Sequence, residues 1–150
     1  MKYRFIVFFI TSLIFFNCKK EVKKSTQSNT IIEEVNPLDT LPLRLNNGEK
    51  WIVNNATQIG VAKMDSILKS FNSNKDENYL GLGNNLSQQT SFIIKSCDMT
   101  GEAHDQLHVV LVPMLDEIYI LKDSNDFEEQ KRAVNNLELL IDRYYEHFKN

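Results

Sequence analysis

Four stretches of this chain repeat apolar residues every three or four positions, and only a few residues separate one stretch from the next. Such spacing puts an apolar stripe on one face of a helix. Links that short oblige each helix to turn back along the one before it. The first helix is expected from about Asn54 to Asn72, with Val53, Gly60, Met64, Ile67, Leu68 and Phe71 on one face. Asn54 or Asn55 is a suitable N-cap. The second is expected from about Asp76 to Cys97, with Tyr79, Leu82, Leu86, Thr90, Ile93 and Cys97 in line. Gly81 and Gly83 weaken its first turns by about 1 kcal/mol each. The third is expected from about Glu102 to Lys122, through Ala103, Leu107, Val110, Leu111, Met114, Ile118 and Leu121. Pro113 lies inside it and cannot donate to the carbonyl of Val109, so a kink is expected. Glu102 and Asp105 suit the dipole at its start. The fourth is expected from about Asp126 to Phe148, through Phe127, Val134, Leu137, Ile141, Tyr144, Tyr145 and Phe148. The fold class that follows is all-α, an antiparallel up-down-up-down four-helix bundle.

The bundle domain is expected over residues 41–150. Before the first helix, Leu41, Leu43 and Leu45 alternate around Pro42 and Arg44, then Asn46-Asn47-Gly48 signals a turn. This extended segment should lay its leucines and Trp51 on the side or end of the bundle. A β-hairpin here would be marginal by itself.

Ahead of that, Lys2 and Arg4 precede an almost wholly apolar run from Phe5 to Phe16, interrupted by Thr11 and Ser12. The run is shorter than the roughly 20 residues of a spanning helix and suits the apolar core of a secretory signal. It ends at Phe15-Phe16-Asn17-Cys18. A cysteine at that junction resembles the lipobox of bacterial lipoproteins, although Asn17 and Phe15 stand where that family usually has a small and an aliphatic residue. The resemblance covers residues 1 to about 20. It implies that residues 1–17 are a signal peptide and that Cys18 becomes the lipidated first residue of the mature chain. Acyl chains there would hold the protein on membrane lipid in the cell envelope, on a periplasmic or outer-membrane face, without spanning it. Residues 18–40 open with Lys19-Lys20-Glu21-Val22-Lys23-Lys24 and continue with Ser, Thr, Gln and Asn. They read as a disordered tether. Its lysines either face anionic head groups or form a solvated run.

Charge excludes one class of partner. With 17 basic and 20 acidic residues the chain carries no strong positive field, and its aromatics are not interleaved with a basic stripe. Nucleic acid is therefore not an expected partner. Cysteine usage is more informative. With Cys18 acylated, Cys97 stands alone and has no partner for an internal disulfide. An unpaired thiol outside the cytoplasm is usually buried or liganded.

Cys97 opens the stretch Cys97-Asp98-Met99-Thr100-Gly101-Glu102-Ala103-His104-Asp105-Gln106-Leu107-His108. In a helix, His104 and His108 stand one turn and about 40° apart, so both can point the same way. Cys97 ends the preceding helix on its core face, and a tight turn brings it beside His104. Met99 should arch over the end, and Gly101 lets backbone and side chains crowd together. Thiolate, thioether and two imidazoles form a soft to borderline ligand set. It suits copper, above all Cu(I), better than magnesium or calcium. Zinc would use Cys97, His104 and His108, with Met99 a poor ligand for it. Haem comes after both. Bundles do host it and His with Met is an axial pair, but C-x-x-C-H is missing and bulky aliphatics fill the slot. The bland alternative is that Cys97 is a core residue and the histidines sit at the boundary. The pattern C-x-M-x-G-x-A-H-x-x-L-H also resembles a stretch of small helical lipoproteins, a resemblance that implies no activity. His147 falls about 110° off the apolar face and reads as solvated.

No phosphate loop, nucleophile elbow or pair of catalytic carboxylates occurs. A thiol enzyme would need Cys97 and His104 oriented by Asp98 or Asp105, yet the C-terminus of a helix disfavours a thiolate. The expectation is a non-enzymatic envelope lipoprotein that binds, stores or delivers a soft metal. The alternatives are a structural lipoprotein that binds another envelope protein without metal, and a haem-binding bundle.

Overall fold

The computed structural model describes residues 41–75 and 77–150. The expected signal peptide, Cys18 and the tether lie outside the described residues. Among the described residues there are four helices, α1 (Asn55–Asn74), α2 (Tyr79–Ser96), α3 (Glu102–Asp123) and α4 (Phe127–His147). A short strand precedes them, β1 (Trp51–Ile52), and another follows, β2 (Phe148–Lys149). No described helix is long and apolar enough to cross a membrane.

Short polar side chains start three of the helices. The Asn54 carboxamide oxygen accepts from the Thr57 N–H at 2.9 Å, and Asn78 accepts from Gly81 N–H at 2.9 Å. Asp126 accepts from the N–H groups of Glu128 and Glu129 at 2.8 and 3.2 Å. Each occupies donors that the first helical turn leaves unpaired. The cap at Asn78 explains why α2 begins at Tyr79, later than the sequence pattern had placed it. Lys75 closes α1 in a left-handed conformation, φ 51°, its N–H directed to the carbonyls of Asn72 and Phe71. α3 runs unbroken through Pro113.

The helices form an antiparallel bundle in which each packs on its neighbours in sequence, and α4 returns against α1. Gly60 of α1 lies so close to Ile93 of α2 that a Cβ at 60 would overlap the Ile93 side chain. Gly83 of α2 lies close to α3, where a Cβ would overlap the Lys122 side chain and crowd Leu121. These glycines let helix axes approach where a side chain would hold them apart. Asn136 of α4 donates to Glu117 of α3 at 2.9 Å, and Tyr144 of α4 donates to Gln58 of α1 at 2.9 Å. Met64, Leu86, Ile93, Val110, Met114, Leu137, Leu140 and Tyr144 are wholly buried between the helices.

The expected apolar faces are buried, with exceptions. Phe127 is 47% exposed. It is the first residue of α4, at the rim of the bundle, and meets Tyr79 edge to face (centroids 5.6 Å, interplanar 85°). Ile67 and Phe71 are half-buried. Thr57, Val61 and Leu140 are buried as well, although the expected stripes passed them over. The fourth helix also stops one residue early. Phe148 turns extended, φ −128° and ψ 150°, and pairs in parallel with Trp51, as Lys149 does with Ile52. The leading segment therefore makes no hairpin beyond the single bridge Asn46–Glu49, which turns through Asn47 and Gly48 at φ 51° and 91°. Its strand belongs with the chain's last residues.

Candidate metal centre

Two sets of hydrogen bonds prepare the end of the bundle where α2 stops and α3 starts. The first starts from Asn54. With its carboxamide oxygen already capping α1, its amide nitrogen donates to the carbonyl of Ser96 at 2.8 Å and to Asp98 Oδ1 at 2.7 Å. One side chain thus starts α1, finishes α2 and holds the residue after Cys97. Cys97 itself is the extended residue that ends α2.

The second set straps the leading segment to α3. Gln106, 7% exposed, accepts the Arg44 backbone N–H at 2.7 Å. The carbonyl of Arg44 accepts the indole N–H of Trp51 at 2.6 Å. The Arg44 guanidinium lies 3.5 Å from Glu102 and 6.0 Å from the centre of the Trp51 ring. Lys50 Nζ donates to the carbonyl of Tyr145 at 2.6 Å. Two of these contacts engage Glu102 and Gln106 in the first turns of α3, and His104 and His108 face the cavity toward α2. Gly101, φ 69° and ψ −157°, provides the turn into α3. That conformation is essentially restricted to glycine.

A cavity of about 170 Å³ opens between α2 and α3, lined by Ile93, Ile94, Cys97, His104, Leu107, His108 and Leu111. Its polar wall is the Cys97 thiol with the two imidazoles. Cys97 is a free cysteine, half-buried; His104 is half-buried and His108 exposed. The imidazole centres are 4.4 Å apart with the rings at 67°, edge to face. Three of the four expected donors therefore share one small cavity. Met99 packs half-buried against the core and is not among the residues lining the cavity. As the side chains lie, no three His, Cys, Asp or Glu among the described residues are grouped closely enough to hold an ion. His147 lies outside the cavity too. Its Nδ1 is 2.8 Å from the carbonyl of Arg143. A carbonyl only accepts, so Nδ1 carries the hydrogen and donates.

Other polar features had no sequence signal. Thr57 Oγ1 is buried without a hydrogen-bond partner among the described residues. Burial pushes the Tyr144 phenol well above its ordinary value, with Tyr145 adding to the shift. A cavity of about 240 Å³ opens between α1 and α2 at the opposite end, among Ile67, Phe71, Asn74, Asn78 and Asn85. No acid, base or thiol is among the residues lining it, which offer amides, the Ser70 hydroxyl and apolar surface.

Fold and site together define a four-helix bundle with a thiol–imidazole cavity between its second and third helices. No protein-family model matches the chain, and no curated protein or solved structure proved similar to it.

Proposed function

We propose that the protein binds a soft or borderline metal ion, copper ahead of zinc, at Cys97, His104 and His108. Its role would be binding, storage or delivery in the cell envelope, with the bundle held on membrane lipid through Cys18. One observation carries the reading: a thiol and two imidazoles from two helices line the same 170 Å³ cavity. The donor set is soft to borderline, as copper and zinc require and as magnesium and calcium do not. The cavity is smaller than the roughly 300–1,000 Å³ usual for larger organic ligands, so an ion suits it better than a haem. Cys97 would supply the thiolate from the end of α2, and the histidines the imidazoles from the first turns of α3. Met99 would join only if the turn over residues 97–101 carried it toward the cavity.

The test is elemental analysis of the reduced full chain in detergent after incubation with Cu(I), Zn(II) or haem, beside Cys97→Ser and His104→Ala. Stoichiometric copper lost in both variants is expected. Zinc with the same dependence would make the site a clip across the α2–α3 turn. A chain that retains none of these, or retains metal equally well in both variants, sinks the proposal.

A further inference from the structure

Both polar atoms of the Asn54 side chain are committed. Its oxygen caps α1, and its amide nitrogen donates to the Ser96 carbonyl at 2.8 Å and to Asp98 Oδ1 at 2.7 Å. A primary amide has two N–H donors, and the two acceptors stand immediately before and after Cys97. The cap alone does not call for an amide, because serine and aspartate cap a helix as well as asparagine does. Neither could make the other two bonds: a carboxylate only accepts, and a hydroxyl has a single hydrogen to give. The clamp is also fixed from behind. The Val53 N–H donates to the Lys149 carbonyl at 2.8 Å beside the β1–β2 ladder, and the Gln58 N–H donates to the Asn54 carbonyl at 3.2 Å in the first turn of α1. Further along α1, Gly60 packs on Ile93, which lines the cavity.

The three donors of the cavity do not need this help equally. His104 and His108 ride inside α3. Cys97 lies past the last turn of α2, extended at φ −75° and ψ 116°. Helix ends fray, and Asn54 restrains this one on both sides of the residue that carries the thiol. We infer that Asn54 is the positioning residue of the metal site, holding the Cys97 backbone so that its thiol faces the two imidazoles. The inference rests on the metal-binding reading above. As the side chains lie, the three donors share the cavity without grouping around an ion. With the backbone held, closing on an ion falls to rotation of the side chains. Such a site is only as good as the support beneath its ligands. Loss of the clamp should therefore lower metal affinity, although Asn54 is not itself a ligand.

Asn54→Ser tests this, because it keeps the cap and removes the clamp. The affinity of the reduced full chain in detergent for Cu(I) and for Zn(II) is measured by competition with a chromophoric chelator. The expected result is binding weaker by about tenfold, the low end for outer partners of metal ligands. Asp98→Ala, at an exposed position, removes one bond of the clamp and should lose less. Asp98→Asn keeps an acceptor there and should restore the wild-type affinity. Asp126→Ala is the control. It strips the cap from α4 at the opposite end of the bundle and should lower the thermal midpoint with metal affinity unchanged. Wild-type affinity in Asn54→Ser overturns the inference and leaves the metal site standing. An equal loss of affinity in Asp126→Ala overturns it too, since the effect would then be one of stability alone. A chain that binds neither ion, or binds them no better than Cys97→Ser does, removes the metal reading and this inference with it.

Discussion

The two ends of the bundle are held by different means. At the end away from the candidate site, short connections and aromatic rings do the holding. Phe71 lies 5.3 Å from Tyr79, and Tyr79 lies 5.6 Å from Phe127, all near the α1–α2 and α3–α4 turns. At the site end, residues distant in sequence are tied through the backbone. Arg44 meets Gln106 across 62 residues, Asn54 meets Ser96 across 42, and Lys50 meets Tyr145 across 95. The β1–β2 ladder closes the same end. At the first end side chains meet side chains, Tyr79 with Phe127 and Asn72 with Glu138, whereas at the end that carries Cys97 and the histidines side chains and strands reach distant backbone. A change at the site end should therefore disturb more of the molecule than the same kind of change opposite.

A matched pair of truncations gives the largest contrast. Trp51→Ala removes a buried ring that stacks under Arg44, donates to its carbonyl and sits in the β1–β2 ladder. Truncating such a residue should cost about 3–5 kcal/mol. Phe127→Ala removes a ring that is half in solvent already and should cost about 1 kcal/mol or less. Urea unfolding of both variants checks this. Equal losses would show that the two ends contribute alike.

Gly101→Ala comes next. The glycine has φ 69° and ψ −157° with open space around a Cβ, so the expected loss is conformational and not steric. It should be about 1–3 kcal/mol, read as a fall in thermal midpoint. The variant should also lower metal affinity, because the strain falls in the turn that joins Cys97 to His104. Full stability with unchanged metal binding would mean that the turn has another conformation open to it.

Asn54→Ala should cost about 1–2 kcal/mol, the range for losing an N-cap, with the freed Ser96 carbonyl adding to it. Asn78→Ala at the opposite end loses only a cap and should fall lower in that range. Hydrogen exchange separates them. Asn54→Ala should speed exchange at the end of α2 as well as the start of α1, whereas Asn78→Ala should affect α2's first turn alone.

The same division explains what the sequence disclosed. The four stripes, the cap at Asn54, and the shared cavity of Cys97, His104 and His108 all follow from spacing within one helix or across one short turn. The parallel ladder had no such signal, because Trp51 and Phe148 sit at opposite ends of the domain. Gln106 carries no signal of burial in the sequence; on α3 it is buried with the Arg44 backbone N–H as its donor, a partner 62 residues away. Met99 was expected over the site but packs on the core. It lies in a turn between helices, where no periodicity says which way a side chain points.

Between the two ends, Glu117 offers the finest test. It lies on the α3–α4 seam and accepts from Asn136 at 2.9 Å. Burial raises its carboxyl above the ordinary 4.5; the Asn136 hydrogen bond opposes the rise and the charge of Asp116 adds to it. The folded state therefore holds the proton more tightly than the unfolded chain. Its contribution to stability is fully present below pH 4.5 and is lost as the pH rises through the raised value. At neutral pH the charge opposes folding, although partial exposure keeps the effect small. Glu117→Gln keeps an oxygen for Asn136 and removes the charge. It should be the more stable protein at pH 7 by about 0.5 kcal/mol or less, with the advantage shrinking toward pH 4. Denaturation measured across that range checks the sign. An advantage that stayed constant, or grew as the pH fell, would mean that the seam is held by packing and that the Glu117 charge has no part in it.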